Sequence, residues 1–381
     1  MLQKQVGPMF NSSEAAHVIP ASTASPFSQH DAIPFAALTD LWRAALLAFR
    51  QAFQKTTQPA EQFYCIGNRI IRLRFAGERL MTLLTPALAQ LATVPHPTPD
   101  LTINLWDSAT TGIALPPLPL RMQQPPPQYD RWSSYAYLGR FHAFYQPVYQ
   151  LFTMLDSRQS EAIYWVQDAN QLPLTEGGAP LITLLHWWLS QQGQQIVHGA
   201  AVGTATGGAL LVGKGGSGKS TTALACLSAG MHYLGDDYCL VTTTPRPTVY
   251  SLYSSGKVHF ADRTRFPHLQ RAQSPNAYVD ADKAIYFFAA AFANQIVPTL
   301  PLKAVLLPTI NGARATSFRA VSPATALLAV GPSTVFQLIG ERKQTMHHLS
   351  QLLRQLPCYQ VSLGADIEQI PARIADLLST L

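Results

Sequence analysis

Apolar positions recur along the chain in two rhythms, one helical and one strand-like, and these outline its elements. Between residues 34 and 54, Leu38, Leu41, Trp42, Ala45, Leu46 and Phe49 fall three and four apart. That spacing predicts an amphipathic helix whose stripe packs on the rest of the protein. Residues 63–66 and 70–75 are apolar, β-prone runs on either side of Gly67-Asn68, which predicts a hairpin. A helix over 77–92 and a strand over 101–106 follow. Prolines crowd residues 116–128 and predict an exposed, extended loop. Strands are expected at 141–145, 149–155 and 161–166, so this half reads as mostly antiparallel sheet.

From residue 179 the rhythm changes. A helix over 179–190 carries His186, Trp187 and Trp188, an aromatic cluster read as core between two halves. Strands at 196–202, 209–212 and 233–241 then alternate with a helix over 218–229, the succession of an α/β domain. Further strands at 302–307 and 359–363 and helices at 323–330, 342–355 and 366–378 complete the chain. The expected organisation is a Ser-, Ala-, Pro- and Gln-rich disordered segment over 1–34, a smaller α+β domain over 35–174, and a P-loop α/β domain over 175–381.

Composition narrows the function classes. A hydrophobic fraction of 47% supports a sizeable core, and the net charge of +6 is spread without a basic stripe, which argues against nucleic acid as partner. The four cysteines, Cys65, Cys226, Cys239 and Cys358, lack metal-binding spacing and read as free thiols. There is no apolar signal core and no run long enough to span a bilayer. A soluble, cytoplasmic protein without a membrane partner is the expectation; the oligomeric state, a homo-oligomer included, stays open.

The chemistry-bearing motif is Gly213-Lys214-Gly215-Gly216-Ser217-Gly218-Lys219-Ser220, which fits GxxxxGK[ST] at every fixed position. It follows an apolar strand-like run and opens a helix, the context that such a loop requires. Its glycines let backbone N–H groups turn inward around phosphate oxygens, and the helix N-terminus adds unpaired N–H groups. Lys219 is placed to reach the β- and γ-phosphates and Ser220 to ligate Mg²⁺, with Thr221 next in the first turn. ATP with Mg²⁺ is the expected ligand pair, GTP being left open.

Transfer of a phosphoryl group needs acidic side chains as well. Asp236-Asp237 interrupts the apolar run YLGDDYCLV, where two carboxylates are costly unless paired, solvated or metal-bound. On a continuous strand they would point to opposite faces and do different jobs. His198 lies one strand before the loop, and a strand–turn–strand back to Gly213 would carry its imidazole near the phosphates. Lys257 and Lys283 are further candidate phosphate contacts.

The order His-Gly, GxxGxGKS, Asp-Asp resembles the HPr kinase/phosphorylase family, and VHGAAVG, LLVGKGGSGKSTTALACL and YLGDDYCLV are similar to its stand-alone bacterial serine kinases. Some of those relatives sit in peptide natural-product pathways. The pattern covers about residues 175–380 and is specific from His198 to Val241. It implies a fold shared with the phosphoenolpyruvate carboxykinase C-terminal domain. It also implies Asp237 as proton acceptor, Asp236 as metal support and His198 as a wall of the transfer pocket. Two departures stand out: Lys214-Gly215 replaces the family's usual pair, and VYSLYSSGKVHFAD over 249–262 replaces its Glu-containing signature. The resemblance implies a kinase acting on a hydroxyl, serine first, of a peptide or protein. An ATP-binding regulatory module and a small-molecule kinase are the alternatives.

Overall fold

The computed structural model describes residues 33–123, 134–280 and 283–381. The segment over 1–32, expected to be disordered, lies outside the described residues, as do residues 124–128 of the proline-rich stretch. In chain order the first half holds α1 (Phe35–Lys55), β1 (Pro59–Ile66), β2 (Arg69–Ala76), α2 (Glu78–Leu84), β3 (Ala92–Thr93), β4 (Leu101–Asp107), α3 (Ser108–Thr111) and α4 (Leu120–Gln123). It continues through β5 (Ser134–Leu138), β6 (Phe141–Gln146), β7 (Leu151–Asp156) and β8 (Glu161–Val166) to α5 (Leu174–Gly178) and α6 (Ile182–Gln191).

These strands form one eight-stranded mixed sheet, ordered β3-β1-β2-β4-β8-β7-β6-β5. Most neighbours are antiparallel as expected, but β2, β4 and β8 run parallel at the centre. The helix expected over 77–92 is cut short: Pro86 has no N–H to continue it, and residues 86–91 tighten into a 3₁₀ turn instead. The amphipathic stripe of α1 lies on one face of the sheet, where Leu38, Trp42 and Phe49 bury against Trp106, Phe152 and Trp165. The opposite face, including Ile71, Leu73, Ile103 and Leu105, packs on α6 and on residues from the second half.

The second half holds β9 (Gln195–His198), β10 (Ala200–Thr204), β11 (Gly207–Leu211), α7 (Lys219–Ser228), β12 (His232–Gly235), β13 (Tyr238–Thr242), β14 (Thr248–Tyr250), β15 (Ser255–His259), β16 (Gln273–Asp280) and β17 (Lys283–Phe287). After these come β18 (Thr299–Thr309), β19 (Ser317–Val321), α8 (Pro323–Gln337), α9 (Arg342–Gln355), β20 (Cys358–Ser362) and α10 (Gln369–Thr380). A nine-stranded mixed sheet runs β12-β10-β11-β18-β14-β13-β9, with β20 parallel to β18 and β19 beyond it. β15, β17 and β16 make a separate three-stranded sheet.

Both faces of the central strands are covered, which explains their unbroken apolar character. Leu211 and Leu306 face α7 and α10, while Leu210 and Val305 face α8 and α9. The helix expected over 323–330 runs on to Gln337 despite Pro332. Packing overrides the local signal there: Thr334 is buried beside β9, and Gly331 lies close under Met346.

One apolar cluster joins the two halves. Trp187 and Trp188 of α6 sit in it with Tyr64 and Leu105 from the first sheet and with Leu240, Tyr253 and Leu338 from the second half. His186 is fully buried on the same helix, and burial lowers its imidazole to about 4 against the pull of the Gly340 backbone and of Glu341, with His142 also close. Unfolded, this imidazole takes a proton near its ordinary 6.5; folded, it waits until about 4. Its contribution to stability is therefore full above pH 6.5 and lost as pH falls through that window. Replacing His186 by Leu should shrink the acid-side loss of stability, by about 3 kcal/mol at the low end of the window, measured by urea unfolding at stepped pH. Equal pH dependence in both proteins would contradict this reading. Among the described residues no helix is long and apolar enough to cross a membrane.

Candidate functional site

The site forms at a break shared by two antiparallel strand pairs. The sequence predicts single strands over 196–202 and 233–241, but each is interrupted. β9 stops at His198 and β10 begins at Ala200; β12 stops at Gly235 and β13 begins at Tyr238. His198 pairs with Tyr238 and Ala201 with Gly235, so the two interruptions lie opposite each other. Gly199 donates its N–H to the Asp237 carbonyl at 3.0 Å across the gap. A Cβ at Gly199 would meet the Leu211 carbonyl oxygen at 2.6 Å, so only glycine lets the backbones approach this closely.

The break corrects the expectation that Asp236 and Asp237 alternate across a strand. They occupy a turn, with Asp237 in the left-handed region at φ 66°, a conformation that costs a non-glycine residue about 1 kcal/mol. The Asp237 N–H donates to Asp236 Oδ1 at 3.0 Å and holds the first carboxylate in place. Asp236 is 2% exposed, whereas the Asp237 side chain is 31% exposed. One carboxylate is sealed inside and the other is half-buried.

The candidate phosphate loop follows β11 directly. Gly218 precedes α7 at φ 100°, a left-handed conformation that favours glycine, and a Cβ there would press on Leu363 Cδ1 at 2.5 Å. Lys214, Gly215 and Gly216 are exposed at the crest of the loop; Gly213, Ser217 and Lys219 are buried beneath it. The Lys219 ammonium donates to the Gly213 carbonyl at 2.8 Å and to the Lys214 carbonyl at 3.1 Å. The Ser220 hydroxyl donates to Asp236 Oδ1 at 3.0 Å, and Thr221 is half-buried one residue on. The loop lysine, the loop serine and the sealed carboxylate thus meet in one place.

Around Asp237 the structure gathers His198 and Lys257. Lys257 Nζ lies 2.7 Å from Asp237 Oδ2, which brings this lysine to the acidic pair. His198 lies tilted against the Tyr238 ring, centroids 5.8 Å apart. Lys283 is not brought to the carboxylates; it sits at the end of β17 opposite His259.

Electrostatics separate the two acids. Burial, then the neighbouring Asp237 charge, raises the Asp236 carboxyl to about 7, against the Ser220 hydrogen bond and the Asp237 N–H. Burial would raise Asp237 too, but the Lys257 ammonium, His198 and Lys219 together outweigh it, and its carboxyl ends below the usual range. Burial, then the Lys219 charge, lowers His198 to about 4, so the imidazole is neutral at pH 7. Burial also lowers Lys219, opposed by Asp236 and Asp237.

The donor set fits a magnesium nucleotide. Asp236 Oδ2 and Ser217 Oγ are buried without a hydrogen-bond partner among the described residues, beside a lysine held only by loop carbonyls. Ser220 and Asp236 offer two hard oxygens for Mg²⁺, which takes its other ligands from phosphate and water. Among the described residues no group of three or more His, Cys, Asp or Glu forms a protein-only metal site.

Two contributors escaped the sequence. Thr334 accepts the His198 N–H at 3.1 Å and Gln337 accepts the Tyr238 hydroxyl at 3.0 Å. Both come from α8, far along the chain, whereas Gly199, which makes the close approach, stands in the His-Gly motif.

No protein-family model matches the chain, and no curated protein matches it. Among solved structures it is similar to the Hpr(Ser) kinase/phosphatase from Coxiella burnetii, at 10% identity and a TM-score of 0.29, over 49% of this chain and 89% of that one. The likeness is distant, and the functional reading rests on the residues.

Proposed function

We propose that the protein is an ATP-dependent kinase that transfers the γ-phosphoryl group to a hydroxyl, serine first, of a peptide or protein. The observation that carries this reading is the junction of Ser220 with Asp236 at 3.0 Å, next to the half-buried Asp237. Bound Mg-ATP supplies the transferable phosphoryl group and the cation that neutralises its charge. Lys219, now on its loop carbonyls, would turn to the β- and γ-phosphates, and Ser220 and Asp236 would hold the metal, which would neutralise phosphate charge. Asp237 accepts the proton of the acceptor hydroxyl as that oxygen bonds to phosphorus and the bond to the β–γ bridging oxygen breaks, releasing ADP. An ionised aspartate suffices, because phosphoryl transfer asks mainly for orientation of the nucleophile. Neutral His198 lines the pocket without adding charge. The motif order His198, 213–220, Asp236-Asp237 supports the same reading.

One observation favours a second reading. Lys257 already pairs with Asp237, and a module that uses ATP only as a conformational ligand would have its carboxylate neutralised in this way. Incubation with γ-labelled ATP and candidate peptides separates the two. The kinase reading expects label on an acceptor hydroxyl; saturable ATP binding with no transfer to any acceptor would support the regulatory module instead.

A further inference from the structure

The strands beside the phosphate loop say where the rest of a nucleotide lies. β11, β18 and β20 run parallel, so the segments that follow them leave the same edge of the sheet. In parallel α/β sheets that edge, at the carboxyl ends of the strands, is where ligands bind. After β11 comes the phosphate loop, after β18 the segment 310–316, and after β20 the segment 363–368. The acidic pair sits on the other flank, reached through β10 and β12. A triphosphate whose γ-end lies at Ser220 and Asp236 therefore directs its nucleoside toward 310–316 and 363–368.

That flank carries an exposed apolar side chain. Ile310 is 68% exposed, yet it lies against the start of α7, where a Cβ at Gly218 would meet its Cγ1 at 3.5 Å. The two segments behind it are fastened together. Asn311 Nδ2 donates to Ser362 Oγ at 3.0 Å, the Gly364 N–H to Thr316 Oγ1 at 3.0 Å, and the Ala365 N–H to the Ala313 carbonyl at 3.1 Å. A fixed wall with an aliphatic face, continuous with the phosphate loop, suits the flat apolar face of a purine.

Resting on the nucleotide-binding reading above, we propose that Ile310 and the joined segments 310–316 and 363–366 form the nucleoside subsite, with the purine covering Ile310. The subsite presents an aliphatic surface to the ring and leaves the triphosphate to the loop. Losing that surface costs affinity for the nucleoside alone.

Calorimetric titration of Mg-ATP and of inorganic tripolyphosphate, into wild type, Ile310→Ser and Leu328→Ser, tests it. Leu328 is 78% exposed on α8, across the sheet from α7, and serves as the surface control. Ile310→Ser should weaken Mg-ATP about tenfold and leave tripolyphosphate unchanged, while Leu328→Ser changes neither. Unchanged Mg-ATP affinity in Ile310→Ser overturns the subsite, and so does an equal loss for both ligands, which would mark a change in the loop itself. Wild type that binds neither ligand overturns the nucleotide-binding reading, and the subsite with it.

Discussion

On the proposed kinase reading, replacing Asp237 by Asn should lower phosphoryl transfer about a thousandfold while Mg-ATP still binds. The amide keeps the shape and the left-handed turn, since Asn tolerates positive φ as well as Asp does. It cannot accept the acceptor's proton, and it releases Lys257 from a charged partner at 2.7 Å. The phosphate loop, Ser220 and Asp236 are untouched, so nucleotide affinity should move little. The check is single-turnover transfer from γ-labelled ATP beside a binding titration of the same variant. Normal transfer by Asp237→Asn would remove the base assigned here. Loss of binding together with transfer would mean that the pair acts on the loop rather than on the acceptor.

The second large effect is on stability. Trp187 is fully buried, stacks on His142 with centroids 5.2 Å apart, and donates its indole N–H to the Ile339 carbonyl at 2.7 Å. Truncation to Ala removes a large side chain from the cluster that joins both halves and leaves that carbonyl without its donor. The expected loss is about 3–5 kcal/mol. The cluster is continuous across the halves, so unfolding should remain a single transition shifted to lower denaturant. Equilibrium unfolding followed by near-UV and far-UV signals measures both. Two separated transitions in the wild type would show that the halves do not share a core.

Much of this was legible in the sequence because the signals were local. The stripe of α1, the Gly67-Asn68 hairpin and the strand–loop–helix around Gly213–Ser220 depend on neighbouring residues, and their bounds emerged within a residue or two, except that β1 begins four residues early, at Pro59. The phosphate loop was readable because its glycines and Lys219-Ser220 are contiguous. What stayed hidden was set at a distance. The parallel centre of the first sheet depends on crossovers that periodicity does not reveal. The turn at Asp236-Asp237 reads as an interrupted strand until β9 and β10 are known to break opposite it. Lys257 reaches Asp237 because β15 delivers it there, whereas Lys283, alike in sequence, opens β17 opposite His259. Thr334 and Gln337 belong to a helix whose expected end at residue 330 lay short of the site, and packing carried it on.

On the proposed reading, residues 213–220 hold a triphosphate with Lys219 as its principal cation, a role that an equilibrium titration of Mg-ATP measures. Wild type should bind at one saturable site, and Lys219→Met should weaken that binding by at least about a hundredfold while the fold persists by circular dichroism. Absence of saturable binding by the wild type, or equal affinity in the Lys219→Met protein, would contradict the account.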